Sequence, residues 1–150
     1  VDLSNETVLR LSQIDNIVAI KDATGNVERG AELIKALPGS FAVYSGDDPT
    51  ALELMRHGAK GNISVTANVA AAEMAQMCRL ALAGDFDGAA CIDEKMRPLH
   101  KSLFVEPNPI PVKWALQQQG HIDSGIRLPL TPLSDSFHAE VKAALEYLSA

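Results

Sequence analysis

The stretch Ile17-Val18-Ala19-Ile20-Lys21-Asp22 joins four apolar residues directly to a lysine and an aspartate. An apolar run of that length, closed by polar residues and by the glycine-containing turn Thr24-Gly25-Asn26, reads as a fully buried parallel strand. Lys21 then stands at its carboxyl end, the rim from which catalytic groups emerge in an α/β barrel. A lysine in such a half-apolar mouth loses solvation, which disfavours its ammonium form. Lowering its pKa from about 10.4 to a working value of about 7–8 corresponds to roughly 4 kcal/mol. The resulting amine is a nucleophile able to form a Schiff base with a carbonyl substrate. Position alone fits equally an ordinary surface lysine, whose stem covers apolar neighbours while its charge stays in water.

Outward from this strand the pattern alternates helix and strand. Upstream, Ser4 is an N-cap for a short helix with Glu6 in its first turn and Val8, Leu9 and Leu11 as apolar positions. Downstream, a helix from about Val27 to Leu37 is stopped by Pro38-Gly39. A second strand, Phe41 to Ser45, breaks at Gly46-Asp47-Asp48, and Asp48 is expected to cap a helix with Pro49 in its first position. Gly58 to Gly61 turn into a third short strand, Asn62-Ile63-Ser64-Val65. Alternation then ends. Asn68 is expected to cap a helix of small residues and methionines, Val69 to Ala83, followed by one from Phe86 to Lys101. Regular structure is interrupted by the proline-rich segment 104–111. A helix carrying Trp114 follows, and then a terminal amphipathic helix with Phe137, Val141, Leu145, Tyr147 and Leu148 on its apolar face.

Three βα units, with strand ends at Lys21, Ser45 and Ser64, cannot close a barrel that requires eight. The alternatives are a small open α/β sheet or the carboxyl-terminal part of a barrel. A doubly wound sheet would carry a glycine-rich phosphate loop after its first strand, and Ala23-Thr24-Gly25-Asn26 is not that fingerprint. The expected fold is therefore α/β, the last three βα units of a (β/α)8 barrel over residues 1–84, with a helical extension over 85–150. A start at Val1, without methionine and almost directly in a helix, reads as a piece of something longer or a processed product.

Composition narrows the function classes. A net charge of −6 with no basic run argues against a nucleic-acid binder. No apolar stretch approaches the roughly 18 residues that span a membrane, and no signal-peptide pattern is present, so a cytoplasmic setting is expected. Cys78 and Cys91 lack metal-type spacing and read as reduced core residues. His57, His100, His121 and His138 are scattered and suit surface or packing roles, and Asp47-Asp48 suits helix capping better than metal binding. Met74 and Met77 read as core or interface filler, and Trp114 as the anchor of the tail.

Four motifs in order carry a resemblance: Ile20-Lys21-Asp22-Ala23-Thr24-Gly25-Asn26, Ser45-Gly46-Asp47-Asp48, Gly61-Asn62-Ile63-Ser64-Val65-Thr66-Ala67-Asn68-Val69, and Leu103-Phe104-Val105-Glu106-Pro107-Asn108-Pro109-Ile110-Pro111-Val112-Lys113. Together they resemble the carboxyl-terminal half of the dihydrodipicolinate synthase (4-hydroxy-tetrahydrodipicolinate synthase) family, across essentially the whole chain. The resemblance implies an eight-stranded barrel with a helical carboxyl-terminal extension, commonly a homotetramer. It implies condensation of pyruvate with aspartate semialdehyde on the way to diaminopimelate and lysine. Lys21 becomes the Schiff-base lysine, Ile63 the residue whose backbone lies against pyruvate, and Gly46 a side-chain-free position that leaves room for substrate. Asn108, between two prolines, is expected in a fixed turn near the mouth. No metal and no organic cofactor is implied, since the lysine itself supplies electrophilic activation.

The family's threonine and tyrosine proton relay, its substrate-binding arginine and most of its lysine-feedback site belong upstream of Val1. Neither Tyr44 nor Tyr147 matches the relay position, and Tyr44 reads as strand core. The 150-residue chain alone is therefore expected to expose barrel edges and to be inactive or poorly folded. Two rival readings remain. One is a sibling class I aldolase of the N-acetylneuraminate lyase or 2-keto-3-deoxy sugar acid aldolase type. The other is a non-catalytic half-barrel that serves as an assembly partner.

Overall fold

The computed structural model describes residues 2–148, so Val1 lies outside the described residues. The order is α1 (Asn5–Leu11), β1 (Ala19–Asp22), α2 (Val27–Ala36), β2 (Ala42–Ser45), α3 (Ala51–Arg56), α4 (Ala71–Leu82), α5 (Phe86–Ser102), α6 (Ile110–Gln118) and α7 (Asp135–Leu148). Single 3-10 turns precede α3, at Asp48–Thr50, and α4, at Thr66–Asn68. This is a mixed α/β arrangement consistent with part of a barrel.

Local chemistry accounts for most boundaries. Ser4 caps α1 by accepting from the Thr7 amide at 3.3 Å, and Asn26 caps α2 by accepting from the Arg29 amide at 3.1 Å. Strands β1 and β2 pair in parallel, with Ala19 opposite Ala42 and Lys21 opposite Tyr44. Alternation along β2 puts Phe41, Val43 and Ser45 on the buried, helix-covered face, while Ala42 and Tyr44 lie on a half-open face. The helix-side core gathers Leu33 of α2, Met74 and Met77 of α4, Met96 and Leu99 of α5, and Val141 of α7. Helix α4 packs along α5, and α5 packs in turn against α7. Trp114 stacks on His138 with ring centroids 4.6 Å apart, which ties α6 to the start of α7.

Several expectations change. The first strand is not buried on both faces: Lys21 is exposed on one face, and Val18, just before the strand, is 63% exposed where only β2 lies beside the chain. The third strand contracts to a single parallel bridge between Asn62 and Ser45. Its ladder does extend a little further, through Lys60 N–H to Val43 O at 2.8 Å, Ser45 N–H to Gly61 O at 2.9 Å, and Ile63 N–H to Ser45 O at 2.8 Å. Asn68 does not cap α4, which begins only at Ala71, because residues 66–68 coil first into the 3-10 turn. Cys91 lies on the solvent side of α5, and Tyr147 on that of α7, where it is 55% exposed. Cys78 is half-buried, and that burial pushes its thiol pKa up, partly offset by a backbone hydrogen bond with Asn62.

Asp48 departs most from expectation. It does not cap α3. Its carboxylate is 3% exposed and turned away from its own helix, accepting at Oδ1 from Asn62 Nδ2 at 2.7 Å. Its Oδ2 accepts from the amides of Val65 and Thr66, both at 3.0 Å. Three donors on one carboxylate make a charge-assisted anchor that a capping residue would not provide.

Candidate active site

Lys21, Gly46 and Ile63 sit at the carboxyl ends of three adjacent parallel segments, and backbone hydrogen bonds lock those ends together. Gly46 N–H donates to Asp22 O at 2.7 Å, and Ile63 N–H donates to Ser45 O at 2.8 Å. The turn after β1 is held from within, since Asp22 Oδ1 accepts from the Thr24 amide at 2.9 Å and Thr24 Oγ1 from the Asn26 amide at 3.2 Å. Ser45 Oγ both donates to Asp47 O at 3.0 Å and accepts from Asp47 N–H at 3.1 Å, which fixes the turn after β2. The rim is thus rigid backbone at the points where the sequence motifs converge.

The Lys21 stem lies across Gly46. A Cβ at Gly46 would overlap Lys21 Cε and stand 2.9 Å from Lys21 Cγ and 2.8 Å from Ala23 Cβ. The missing side chain at Gly46 therefore makes room for the lysine itself. Lys21 borders a cleft of about 440 Å³ along the outer edge of β1, lined also by Ile20, Ala23, Thr24, Val8 and Arg29. Lys21 is exposed there, so the half-apolar mouth expected around it is not formed by the described residues. Ile63 is 51% exposed on the same rim.

Asn108 is exposed, joined to Pro109 by a cis peptide bond in the turn before α6, and does not line the cleft beside Lys21. The residues that sequence reasoning missed lie behind the rim. Tyr44 is the cross-strand neighbour of Lys21 and shares its face, a relation set by a register that periodicity alone does not reveal. Asp48 anchors the turn after Ile63, and its signal was the unusual pairing of two aspartates at the end of a strand. Among the described residues, no group of three or more His, Cys, Asp or Glu side chains is placed to hold a metal ion, and no helix is long and apolar enough to cross a membrane.

A match to the dihydrodipicolinate synthetase family runs over residues 1–148. The 4-hydroxy-tetrahydrodipicolinate synthase of Marinobacter nauticus is 62% identical over 145 residues, which cover 97% of this chain and 50% of that protein. Among solved structures, the chloride-inhibited dihydrodipicolinate synthase of Acinetobacter baumannii, complexed with pyruvate, superposes with a TM-score of 0.96 at 56% identity. That match covers 99% of this chain and 51% of the other. The Aquifex aeolicus dihydrodipicolinate synthase superposes with a TM-score of 0.95 at 41% identity, again over 99% of this chain and 51% of its own. The chain spans about half the length of the relatives it matches. With the family match running from end to end and the same backbone in solved relatives, the chain belongs to the dihydrodipicolinate synthetase family.

Proposed function

We propose that this chain supplies the nucleophile and one wall of the active site of a 4-hydroxy-tetrahydrodipicolinate synthase. That enzyme condenses pyruvate with L-aspartate 4-semialdehyde in lysine and diaminopimelate biosynthesis. The observation that carries the reading is the placement of Lys21: a strand-end lysine whose stem lies over a glycine, on a rim whose next segment presents Ile63. Residues 1–84 are assigned to the last βα units of a (β/α)8 barrel and 85–150 to its helical extension. The remaining half of the barrel is the partner that completes the site, and a cytoplasmic homotetramer is the expected assembly.

In this reading the Lys21 amine attacks the ketone carbon of pyruvate, and the carbinolamine loses water to leave a protonated imine. The imine withdraws electrons, so a methyl proton is lost and an enamine forms. The enamine carbon then bonds to the aldehyde carbon of the second substrate, whose oxygen takes up a proton. Finally that substrate's amine attacks the imine carbon, closing the ring and releasing Lys21 with its proton balance restored. Ile63 supplies backbone against the keto acid, Gly46 keeps the lysine's path clear, and Asn108 stays assigned to the mouth as a substrate-binding turn. The acid–base steps are assigned to the other half of the barrel.

Borohydride trapping with pyruvate, read by intact mass and peptide mapping, tests this. The completed barrel is expected to gain a reduced pyruvyl adduct on Lys21, and Lys21→Ala to gain none. An adduct that persists in Lys21→Ala, or no adduct in a folded, completed barrel, would sink the assignment. Condensation of pyruvate with a glyceraldehyde-type aldehyde in place of the semialdehyde would favour the sibling aldolases.

A further inference from the structure

Beyond Ile63 the sheet ladder stops, yet the turn through residues 64–68 is tied down by side-chain hydrogen bonds. Two supports hold it from different layers. From the rim, Asp48 Oδ2 accepts from the Val65 and Thr66 amides at 3.0 Å. From the helical layer, Thr66 Oγ1 lies 2.8 Å from His100 Nδ1 on α5, and His100 Nε2 lies 3.3 Å from Asp93 Oδ1 two turns earlier on the same helix. Thr66 is fully buried, and the His100 and Asp93 side chains are 3% and 6% exposed. Arg97 Nη2 stands 3.7 Å from the other Asp93 oxygen, at the solvent edge of the group.

The direction of these bonds follows from donor chemistry. A carboxylate only accepts, so His100 Nε2 carries the hydrogen toward Asp93. In the neutral ring Nδ1 is then an acceptor, and the Thr66 hydroxyl donates to it. A buried threonine needed only for packing would be served as well by valine. A hydroxyl at full burial with a histidine as its partner costs free energy unless that bond is made. None of these three residues lies on the rim with Lys21, so their contribution acts through the turn they hold.

We propose that the buried Thr66–His100–Asp93 line is a positioning network that fixes the turn carrying Ile63, and with it the keto-acid wall of the site, from the helical layer. The role assigned to that wall rests on the function proposed above. The network sets where the Ile63 backbone stands relative to Lys21, as Asp48 does from the opposite side.

Thr66→Val, which keeps shape and removes the hydroxyl, is compared with Thr66→Ser, which keeps the hydroxyl, in the completed enzyme. Two readouts are taken: hydrogen exchange of the segment 62–68, and the KM for pyruvate beside kcat. In Thr66→Val the exchange is expected to quicken and the pyruvate KM to rise, each by about tenfold, the size of one lost buried hydrogen bond. In the same variant kcat should stay within about twofold, and Thr66→Ser should lie close to the parent in both readouts. Unchanged exchange, a fall in melting temperature without a KM change, or faster exchange without a KM change would each overturn the proposal. A parent enzyme that does not turn over pyruvate would remove the proposed function instead, while the exchange comparison still reports whether the network fixes the turn.

Discussion

Gly46→Ala isolates the contact between the lysine and its rim. The added Cβ would overlap Lys21 Cε and stand 2.9 Å from Lys21 Cγ, so the lysine must leave its path across the β2 end. The opposing Ala23 Cβ stands at 2.8 Å and must retreat to ordinary contact at 3.4 Å, a backbone-borne shift of 0.6 Å in the turn after β1. The lysine stem is flexible and moves at little cost, whereas the Ala23 shift strains a turn held by Asp22 and Thr24. The stability cost is thus about 1 kcal/mol, the low end for overpacking. If Lys21 has the proposed role, the chemical cost is larger, since displacing a reacting amine by about 1 Å can reduce the rate by about a hundredfold. The assay is the rate of borohydride trapping with pyruvate in the completed barrel, beside the melting temperature. A large loss of trapping with a small loss of stability is expected. A trapping rate equal to the parent's would refute the reasoning, because the lysine would then not depend on the space above Gly46.

The Asp48 anchor and the first ion pair give two further predictions. Asp48→Ala leaves two backbone amides and Asn62 Nδ2 without their acceptor and should cost about 3–5 kcal/mol. Asp48→Asn should cost about 1–2 kcal/mol, because Asn62 Oδ1 is buried without a partner and an amide flip at Asn62 would let it accept from the new carboxamide. Equal losses in denaturant midpoint for the two variants would contradict this. At the other end, a hydrogen bond from Arg29, together with its charge, holds the Asp2 carboxyl below the usual carboxylate range. A carboxylate with a lowered folded pKa contributes stability above its unfolded pKa of about 4 and loses it as pH falls through the folded value. The difference in melting temperature between the parent and Asp2→Asn should be present near pH 6 and shrink below about pH 4. A difference that persists undiminished at about pH 3 would show that the pair is not its source.

The ends of the first two strands were legible because each coincides with a change of residue chemistry: apolar run to Lys21-Asp22, and Ser45 to Gly46. The cap at Ser4 was legible for the same reason, whereas Asn26, read only as part of a turn, caps α2. Asp48 was misread because its helix-start position is a local signal, whereas its partners lie 14 to 18 residues further along the chain. His100 was read only as a surface or packing residue, since its partner Thr66 is 34 residues away and a lone histidine in a helix carries no spacing that points to it. Burial of β1 was overestimated because an apolar run states what a strand can bury, not what is present to bury it. Val18 and Ile14 remain exposed for lack of a cover among the described residues.

That uncovered side bears on how the site becomes competent. Parallel strands are stable when both faces are covered, and here the helices cover one face only. Among the described residues β1 has a strand on one edge alone, so its other edge presents unpaired backbone N–H and C=O groups. Lys21 is exposed on that open side, and in the role proposed for it the amine needs a drier setting than bulk water. A second sheet edge paired to β1 would cover Val18, close the cleft and remove water from around Lys21 in one step. Folding and activation of the nucleophile would then be two consequences of the same contact. The rim geometry at Gly46 and Ile63 is already locked by its own backbone bonds, so this contact has to supply the environment of the lysine but not its position.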